Sequence, residues 1–385
     1  MRICFATEDF YPDFTGGQGI YGYHLVDELT KKGINITVLA ERRGNREKFW
    51  AKFNNKTLVL FTPFCFSNQL LLALFEYLFF ILKLKNDQFD ILHANQLSGL
   101  FFSLHKPPNV KKVIISAHNT NYDMYQITSS RLKRLFYLPL IILEKMMYRR
   151  ADGILFNSES ERNALLKYYS IKHNKSAVAF LGKPNTTFTR PQRTRFRSEI
   201  RKKMNLGHEE KIVLYVGRLV KKKKVDILVQ AINILHQENN KINCLIIGTG
   251  SLQKKLIQIA PPYVKILGFI KDTKPFFLAS DIFVTTGVAE GGVALSALEA
   301  AHYELPLILS PSDAGVPILF DGQNGYRADP DNPKDIAQKI KKVLPMAETM
   351  GQESAKLVKP FTWEQTAEET INFYKLILEK PLDTP

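Results

Sequence analysis

Residues 211–235 read "KIVLYVGRLVKKKKVDILVQAINIL", and their order decides the fold. Six residues, Lys211 to Val216, carry a short apolar run that stops at Gly217. Arg218 follows at once, then Lys221–Lys224, and from Val225 apolar residues recur with helical spacing. An apolar run, a glycine turn and an amphipathic segment make a strand, a tight connection and a helix, which is the building unit of an α/β protein. The basic turn admits three readings: a solvated helix start, a nucleic-acid patch or a phosphate clamp.

The same unit recurs outward in both directions. Upstream lie "RICFA", "INITVLA", "FDILHAN" (89–95), "KKVIISAHN" (111–119) and "ADGILFNS" (151–158); downstream lie "INCLIIGTG" (242–250), "VKILGFI" (264–270), "DIFVTT" (281–286) and "LPLILS" (305–310). Short continuous apolar runs ending in polar residues fit parallel strands buried on both faces. Such sheets place ligands at the carboxyl ends of their strands. That rule collects His93, Asn95, His118, Asn119 and Ser158 at one rim with the Gly16-Gly17 loop. Between the two sets, "KPNTTFTRPQRTRFR" (183–197) lacks apolar periodicity, carries Pro184 and Pro191, and reads as a linker. Two α/β domains facing each other across a cleft are expected. The last helix begins near Thr362, with Gln365 placed for a capping box.

Bulk properties narrow the function classes. A chain of 385 residues is too long for one comfortable core. Cys4, Cys65 and Cys244 are odd in number and far apart, which fits reduced thiols and neither a disulfide frame nor a metal site. The net charge of +16 asks for an anionic partner: nucleic acid, a membrane surface or a phosphorylated substrate. No zinc-finger spacing, RNA-binding aromatic motif or Gly-rich basic tail is present, which argues against nucleic acid. Met1 runs directly into a strand with no apolar leader, so a cytosolic location is expected. The segment 69–85, "QLLLALFEYLFFILKLK", is short of the roughly 20 residues of a membrane span. It is either a helix buried against a sheet or an interfacial helix on an anionic membrane.

Several rim residues carry chemistry. Gly16-Gly17 and the "GTGS" turn, with Gly248 and Gly250, let backbone approach a ligand and free amides for an anion, although ordinary glycine turns look the same. In "VAEGGVALSALEAAHYELPLILS", Glu290 and Gly291-Gly292 precede a helix expected from about Val293 to His302, whose open amides suit a diphosphate. Glu299 lies within that helix among alanines and leucines. It either faces solvent, pairs with a lysine, or accepts from neutral ligand hydroxyls such as those of a ribose. Arg218, just past a strand end, belongs to the same rim. An arginine fork and a lysine suit a departing diphosphate. Lys221 and Lys222 are expected to be solvated, with a lysine at 223–224 turned inward.

At these residues the chain resembles the retaining nucleotide-sugar glycosyltransferases of family 4. "VGRLVKKKKVDILVQA" is similar to the family's "VGRL…KG…L…A", with Arg218 and Lys223 at the positions of the phosphate-binding cations and Lys224 where a glycine is common. "IIGTG", "VKILGFI" through Ile270, "FTWEQTAEE", "GGQG", "DILHAN" and "SAHN" match further family segments. The resemblance implies the GT-B fold, with two facing Rossmann-like domains, parallel sheets and an interdomain cleft. It assigns 1–185 to acceptor binding, 192–360 to the nucleotide sugar, and 361–385 to a helix returning to the first domain. The implied enzyme is a retaining hexosyltransferase acting on a UDP- or GDP-linked sugar, without metal or cofactor. Arg218 and Lys223 would stabilise the diphosphate with the Gly291-Gly292-Val293 helix start. Glu290 would hold the donor sugar, His118 the sugar or its phosphate, and Glu299 the ribose. The acceptor would be a carbohydrate or lipid-linked precursor, with an anionic membrane surface as a further partner. Two departures stand out. Glu290 and Glu299 are separated by eight residues where the family has seven, so either the loop holds one extra residue or the outer glutamate is lost. Ile318 occupies a position where a glutamate is frequent. A GT-B phosphorylase and an inactive sugar-binding scaffold are the rival readings.

Overall fold

The computed structural model describes residues 1–10, 16–41, 50–53, 57–62, 68–118, 120–128, 130–238, 241–288, 294–311 and 317–380. The chain divides into two compact units, Met1–Leu181 with Trp363–Pro385, and Gly182–Thr362.

The first unit is built on eight strands: β1 (Arg2–Thr7), β2 (Asn35–Ala40), β3 (Trp50–Phe53), β4 (Thr57–Phe61), β5 (Phe89–Asn95), β6 (Val110–Ser116), β7 (Gly153–Phe156) and β8 (Ser176–Val178). Their order is β3-β4-β2-β1-β5-β6-β7-β8. All neighbours are parallel except β3 and β4, which form an antiparallel edge. Cys4 pairs with Thr37 on one side and Leu92 on the other, so β1 is buried on both flanks. That placement is why its side chains form an unbroken apolar run. Burial pushes the Cys4 and Cys244 thiols up, so both stay protonated. Cys65 lies outside the described residues.

Segment 69–85 is the helix Gln69–Leu84, capped by the Asn68 side chain, which accepts from the Leu70 and Leu71 amides. Leu72, Ala73, Phe80 and Leu84 enter the core, and Glu76 is fully buried among them. Burial holds the Glu76 carboxyl well above its ordinary range, so it is neutral. Among the described residues, no helix is long and apolar enough to cross a membrane. The terminal helix Trp363–Glu379 belongs to this unit and packs on the helix Gly17–Lys31, where Trp363 stacks on His24.

The second unit carries β9 (Lys211–Val216), β10 (Ile242–Ile247), β11 (Val264–Gly268), β12 (Ile282–Val284), β13 (Leu307–Leu309) and β14 (Gly325–Arg327). Every neighbour is parallel, in the order β11-β10-β9-β12-β13-β14. This is the doubly wound order, in which the chain leaves β9 in one direction and returns to its other side with β12. The first sheet reverses in the same way between β1 and β5.

One sequence expectation fails here. Residues 190–197, read as linker, form the start of the helix Arg190–Met204. The Thr189 hydroxyl accepts from the Gln192 amide while the Gln192 side chain accepts from the Thr189 amide, and Pro191 sits in the first turn, where its missing N–H costs nothing. Arginines four residues apart carry the contact face. Arg193 pairs with Glu304 at 3.2 Å, Arg197 with Asp281 at 2.6 Å, and Arg201 donates to the Gly207 carbonyl at 2.6 Å. The buried apolar residues of this helix, Ile200 and Met204, lie beyond 197, so the stretch read as linker holds only its charged contacts.

Candidate active site

In the second unit the switch point falls between the carboxyl ends of β9 and β12. Beyond β9 the ladder continues: Gly217 N–H donates to Ile247 O at 3.0 Å, Leu219 N–H to Thr249 O at 2.8 Å, and Leu252 N–H to Leu219 O at 2.8 Å. Arg218 is exposed on this pinned rung and makes no ion pair among the described residues. Gly248 and Gly250 are required for packing. A Cβ on Gly248, at a φ of +140°, would lie 1.9 Å from Gly217 O, and one on Gly250 would lie 2.3 Å from Leu219 O. The two strand-end loops therefore approach backbone to backbone, which only glycine permits. Gly248 N–H also donates to Gly268 O at 2.8 Å, and Phe269 and half-buried Ile270 follow in the turn after β11.

Lys221–Lys223 form one 3₁₀ turn, and Lys224 closes it with a φ of +46°. The left-handed conformation at 224 explains why glycine is common there in the resembling family. The Lys224 ammonium pairs with Asp331 at 2.6 Å, so the expectation of a lysine turned inward falls to Lys223, which is half-buried. Lys221 is exposed and Lys222 half-buried. The turn is tied to the chain leaving β12. Thr286 Oγ1 donates to Lys223 O at 2.7 Å, and Val288 N–H donates to Lys222 O at 2.9 Å. Thr285 N–H donates to Ile308 O at 2.8 Å, and Ser310 Oγ donates to Gly287 O. Glu290, Gly291, Gly292 and Val293 lie outside the described residues, directly after this anchored segment.

The helix expected from Val293 is described from Leu295 to His302, with Ala294 at its N-cap. Its far end is fixed by His302 Nε2 donating to Thr186 O at 2.6 Å and by a 2.9 Å bond between the Tyr303 and Thr186 hydroxyls. Glu299 is partly buried and has no ion-pair partner among the described residues. Burial pushes its carboxyl up to about 7. A lysine partner for Glu299 is therefore not what the described residues provide.

In the first unit the switch point lies between β1 and β5, and a buried polar network fills it. Asn95 Nδ2 donates to Thr7 Oγ1 at 3.1 Å. Asn157 Nδ2 donates to His118 Nδ1 at 2.7 Å, leaving Nε2–H to donate toward Asn95 Oδ1 at 3.4 Å. Burial lowers the His118 imidazole to about 4, so it is neutral with its proton on Nε2. The Tyr21 ring meets His118 edge-on at 4.8 Å. The Tyr21 hydroxyl bonds Ser116 Oγ at 2.9 Å, Ser116 bonds His93 Nε2 at 2.6 Å, and His93 Nδ1 bonds the Tyr374 hydroxyl at 2.5 Å. This chain runs from beneath His118 to the terminal helix. Gly16 is the N-cap of the helix Gly17–Lys31, at a φ of −145° open to any residue, and among the described residues no atom lies within 4 Å of where its Cβ would be. Ser158 has a local task, accepting from the Glu161 amide as a helix cap, and Asn119 lies outside the described residues.

Sequence reasoning missed Asn157, Thr7 and Tyr21 around His118, and Thr285-Thr286 under the lysine turn. For Asn157 the signal was present: it precedes Ser158 at a strand end.

The family model described as Glycosyltransferase Family 4 matches residues 15–182, and that described as Glycosyl transferases group 1 matches residues 196–356. The chain belongs to the family 4 glycosyltransferases. Both sheets, each with its own helices, are the Rossmann-like units of the GT-B fold. The chain is 24% identical to an uncharacterized glycosyltransferase of Methanocaldococcus jannaschii, over 98% of this chain and 99% of that one. It is 26% identical to the capsular polysaccharide biosynthesis glycosyltransferase CapM of Staphylococcus aureus, over 67% of this chain and 70% of that one. Among solved structures it is similar in fold to a sucrose-phosphate synthase from Thermosynechococcus elongatus, with a TM-score of 0.82 at 19% identity, covering 97% of this chain and 98% of that one. As a family 4 member, the protein is a glycosyltransferase enzyme with a nucleotide-sugar donor.

Proposed function

We propose that this glycosyltransferase moves a hexosyl group from a UDP- or GDP-linked sugar to an acceptor hydroxyl with retention of anomeric configuration. The second unit takes the donor and the first takes the acceptor. The observation that carries this reading is the placement of exposed Arg218 on a pinned rung at the β9–β12 switch point, with the lysine turn bonded beside it. As the bond from sugar to diphosphate lengthens, negative charge grows on the leaving oxygens. The backbone that carries Arg218 and Lys223 is bonded in place, so both meet that charge without rearrangement of the turn. The Gly291-Gly292-Val293 amides add to them. Glu290 fills the outer-glutamate role and holds the sugar hydroxyls, with the loop absorbing one extra residue. Glu299 accepts from the ribose, and neutral His118 exchanges its long 3.4 Å bond to Asn95 for one from Nε2–H to the sugar or its phosphate. Gly16-Gly17 belong to the acceptor side.

The acceptor in this reading is a polysaccharide or lipid-linked precursor at the cytoplasmic face of a membrane. Similarity to a capsular polysaccharide transferase and the basic net charge of +16 support it. The test is a screen of nucleotide sugars for binding and slow hydrolysis, followed by Arg218→Ala with the donor so identified. Loss of one preorganised donor costs about 3 kcal/mol, near a hundredfold in turnover. Donor-dependent turnover within threefold of wild type would overturn the assignment, and turnover only with inorganic phosphate as acceptor would make the enzyme a phosphorylase.

A further inference from the structure

The helix Arg131–Arg150 packs one side into the first unit's core through Ile141, Met147 and Tyr148. Its other side carries Leu132, Leu135, Phe136, Ile142 and Met146, all exposed, with Phe136 at 76% and Leu132 at 75%. Their spacing of three, one, six and four residues keeps them on one helical face. The sole acid of the helix, Glu144, is buried and occupied, accepting from the Tyr169 hydroxyl at 2.7 Å and the Asn121 amide at 2.9 Å. Exposed Arg131, Arg149 and Arg150 stand at the two ends of the apolar stripe.

A second exposed row lies on the helix Gln69–Leu84, at Leu71, Leu78 and Leu82. Both helices pack against the short helix Leu100–Leu104. All three belong to crossovers that proceed in the same direction along the sheet, from β4 to β5, β5 to β6 and β6 to β7. Right-handed crossovers therefore put them on one side of it. Segment 69–85 is thus buried on one face and apolar toward solvent on the other.

We propose that this side of the first unit docks on an anionic bilayer, with the helix Arg131–Arg150 lying in the interfacial plane. The occupant follows from charge. A 20-residue helix with an apolar face, arginines at its ends and no exposed acid matches an interface of acyl chains topped by anionic headgroups. A two-fold contact with a second copy would bring arginine-tipped ends against each other, because an isologous interface opposes a patch to itself. The inference deepens the membrane-linked acceptor of the proposed function, and its readout needs neither donor nor acceptor.

The test is flotation of the full-length protein with phosphatidylcholine vesicles and with vesicles of equal phosphatidylcholine and phosphatidylglycerol. The protein should float with the anionic vesicles and remain below the neutral ones. The variant L135E/F136E should reduce the floated fraction at least tenfold, and R149E/R150E should reduce it severalfold. I257E, which changes an exposed apolar residue of the second unit, should leave it unchanged. All four apolar and basic positions are exposed, so each variant should melt as wild type does, which separates lost docking from lost folding. As a direct readout, the added emission of F136W should be quenched by brominated lipid. Wild-type flotation by L135E/F136E, absence of wild type from anionic vesicles at low salt, or a solution dimer that this variant dissociates would each overturn the proposal. Such a result with donor-dependent turnover intact would leave the transferase reading standing.

Discussion

Replacing Glu299 by glutamine should remove a pH dependence that the wild-type donor site carries. Burial raises the carboxyl from 4.5 to about 7, so near neutral pH it is poised between its two forms. In the proposed site, ribose hydroxyls would donate to the carboxylate and favour its ionisation, so the ionised enzyme should bind nucleoside diphosphate more tightly and binding should release a proton. Ionised Glu299 rises from about 3% at about pH 5.5 to about 90% at about pH 8, a ceiling of roughly thirtyfold in affinity. A hydrogen bond to a charged group contributes about 1.5–3 kcal/mol, which permits roughly ten- to hundredfold discrimination between the forms, so a tenfold or larger rise is expected. Calorimetric titration of wild type and E299Q across this range measures it, and ionisation of the diphosphate itself cancels in the comparison. Stability runs the other way. Between 4.5 and about 7 the folded protein holds a proton that the unfolded chain has released, so stability falls as pH rises through that window. The full penalty is on the order of 3 kcal/mol above pH 7, absent below 4.5, and absent throughout in E299Q. Equal pH slopes for the two proteins in both experiments would refute the ribose contact and the buried charge together.

Three further outcomes are expected. Gly250→Ala places a Cβ 2.3 Å from Leu219 O, so it should destabilise the second unit by about 1–3 kcal/mol and weaken nucleoside diphosphate binding; a wild-type melt and affinity would show that the loops separate freely. Lys224→Gly relieves a left-handed side chain worth about 1 kcal/mol and gives up a partly exposed ion pair worth less, so the denaturation midpoint should hold or rise with turnover kept. A loss above roughly 2 kcal/mol would give the Lys224–Asp331 pair a larger role than its exposure allows. Tyr374→Phe leaves buried His93 Nδ1 without its partner and should cost about 1–3 kcal/mol of unfolding free energy, with an unchanged urea midpoint counting against the network.

The sequence made the strand–turn–helix rhythm legible because parallel strands buried on both faces cannot hide their apolar runs. It also placed Arg218, His118 and Glu299 at strand ends or on their helix, since strand-end position follows from where a run stops. Four strands escaped. β3 and β14 carry no continuous apolar run, while β4, with Leu58–Phe61, and β8, within the apolar run 177–181, carry one and are missed. The helix Arg190–Met204 escaped at its start, where the contacts of Arg193 and Arg197 are charged and its buried Ile200 and Met204 have not yet come. Around His118 the strand-end rule collected Asn95 but missed Thr7, Tyr21 and Asn157, which come from three further segments. Their convergence depends on the β1–β5 reversal, which strand spacing does not reveal.

The 53 lysines and arginines are thereby divided among several tasks. Part is structural. Arg193 and Arg197 are ion-paired to Glu304 and Asp281, and Lys341 is ion-paired to Glu238. Such residues are neutralised where they sit and attract nothing from a distance. Arg218 and Lys223 belong to a second group, on the turn at the β9–β12 switch point, where the proposed function puts the diphosphate. Arg131, Arg149 and Arg150 form a third group on a helix of the other unit, beside exposed leucines that no phosphate site requires. A nucleic-acid surface would carry its basic residues along one stripe with stacking aromatics, and the third group sits only at the two ends of an apolar face. Charge beside apolar exposure points instead to a bilayer, and charge beside a strand-end glycine turn points to a phosphate. The two can be separated experimentally: raising salt should weaken vesicle flotation of the wild type, and R149E/R150E should do the same while leaving nucleoside diphosphate affinity within threefold. Parallel loss of both activities in R149E/R150E would mean that the arginines serve the fold of the first unit rather than a membrane surface.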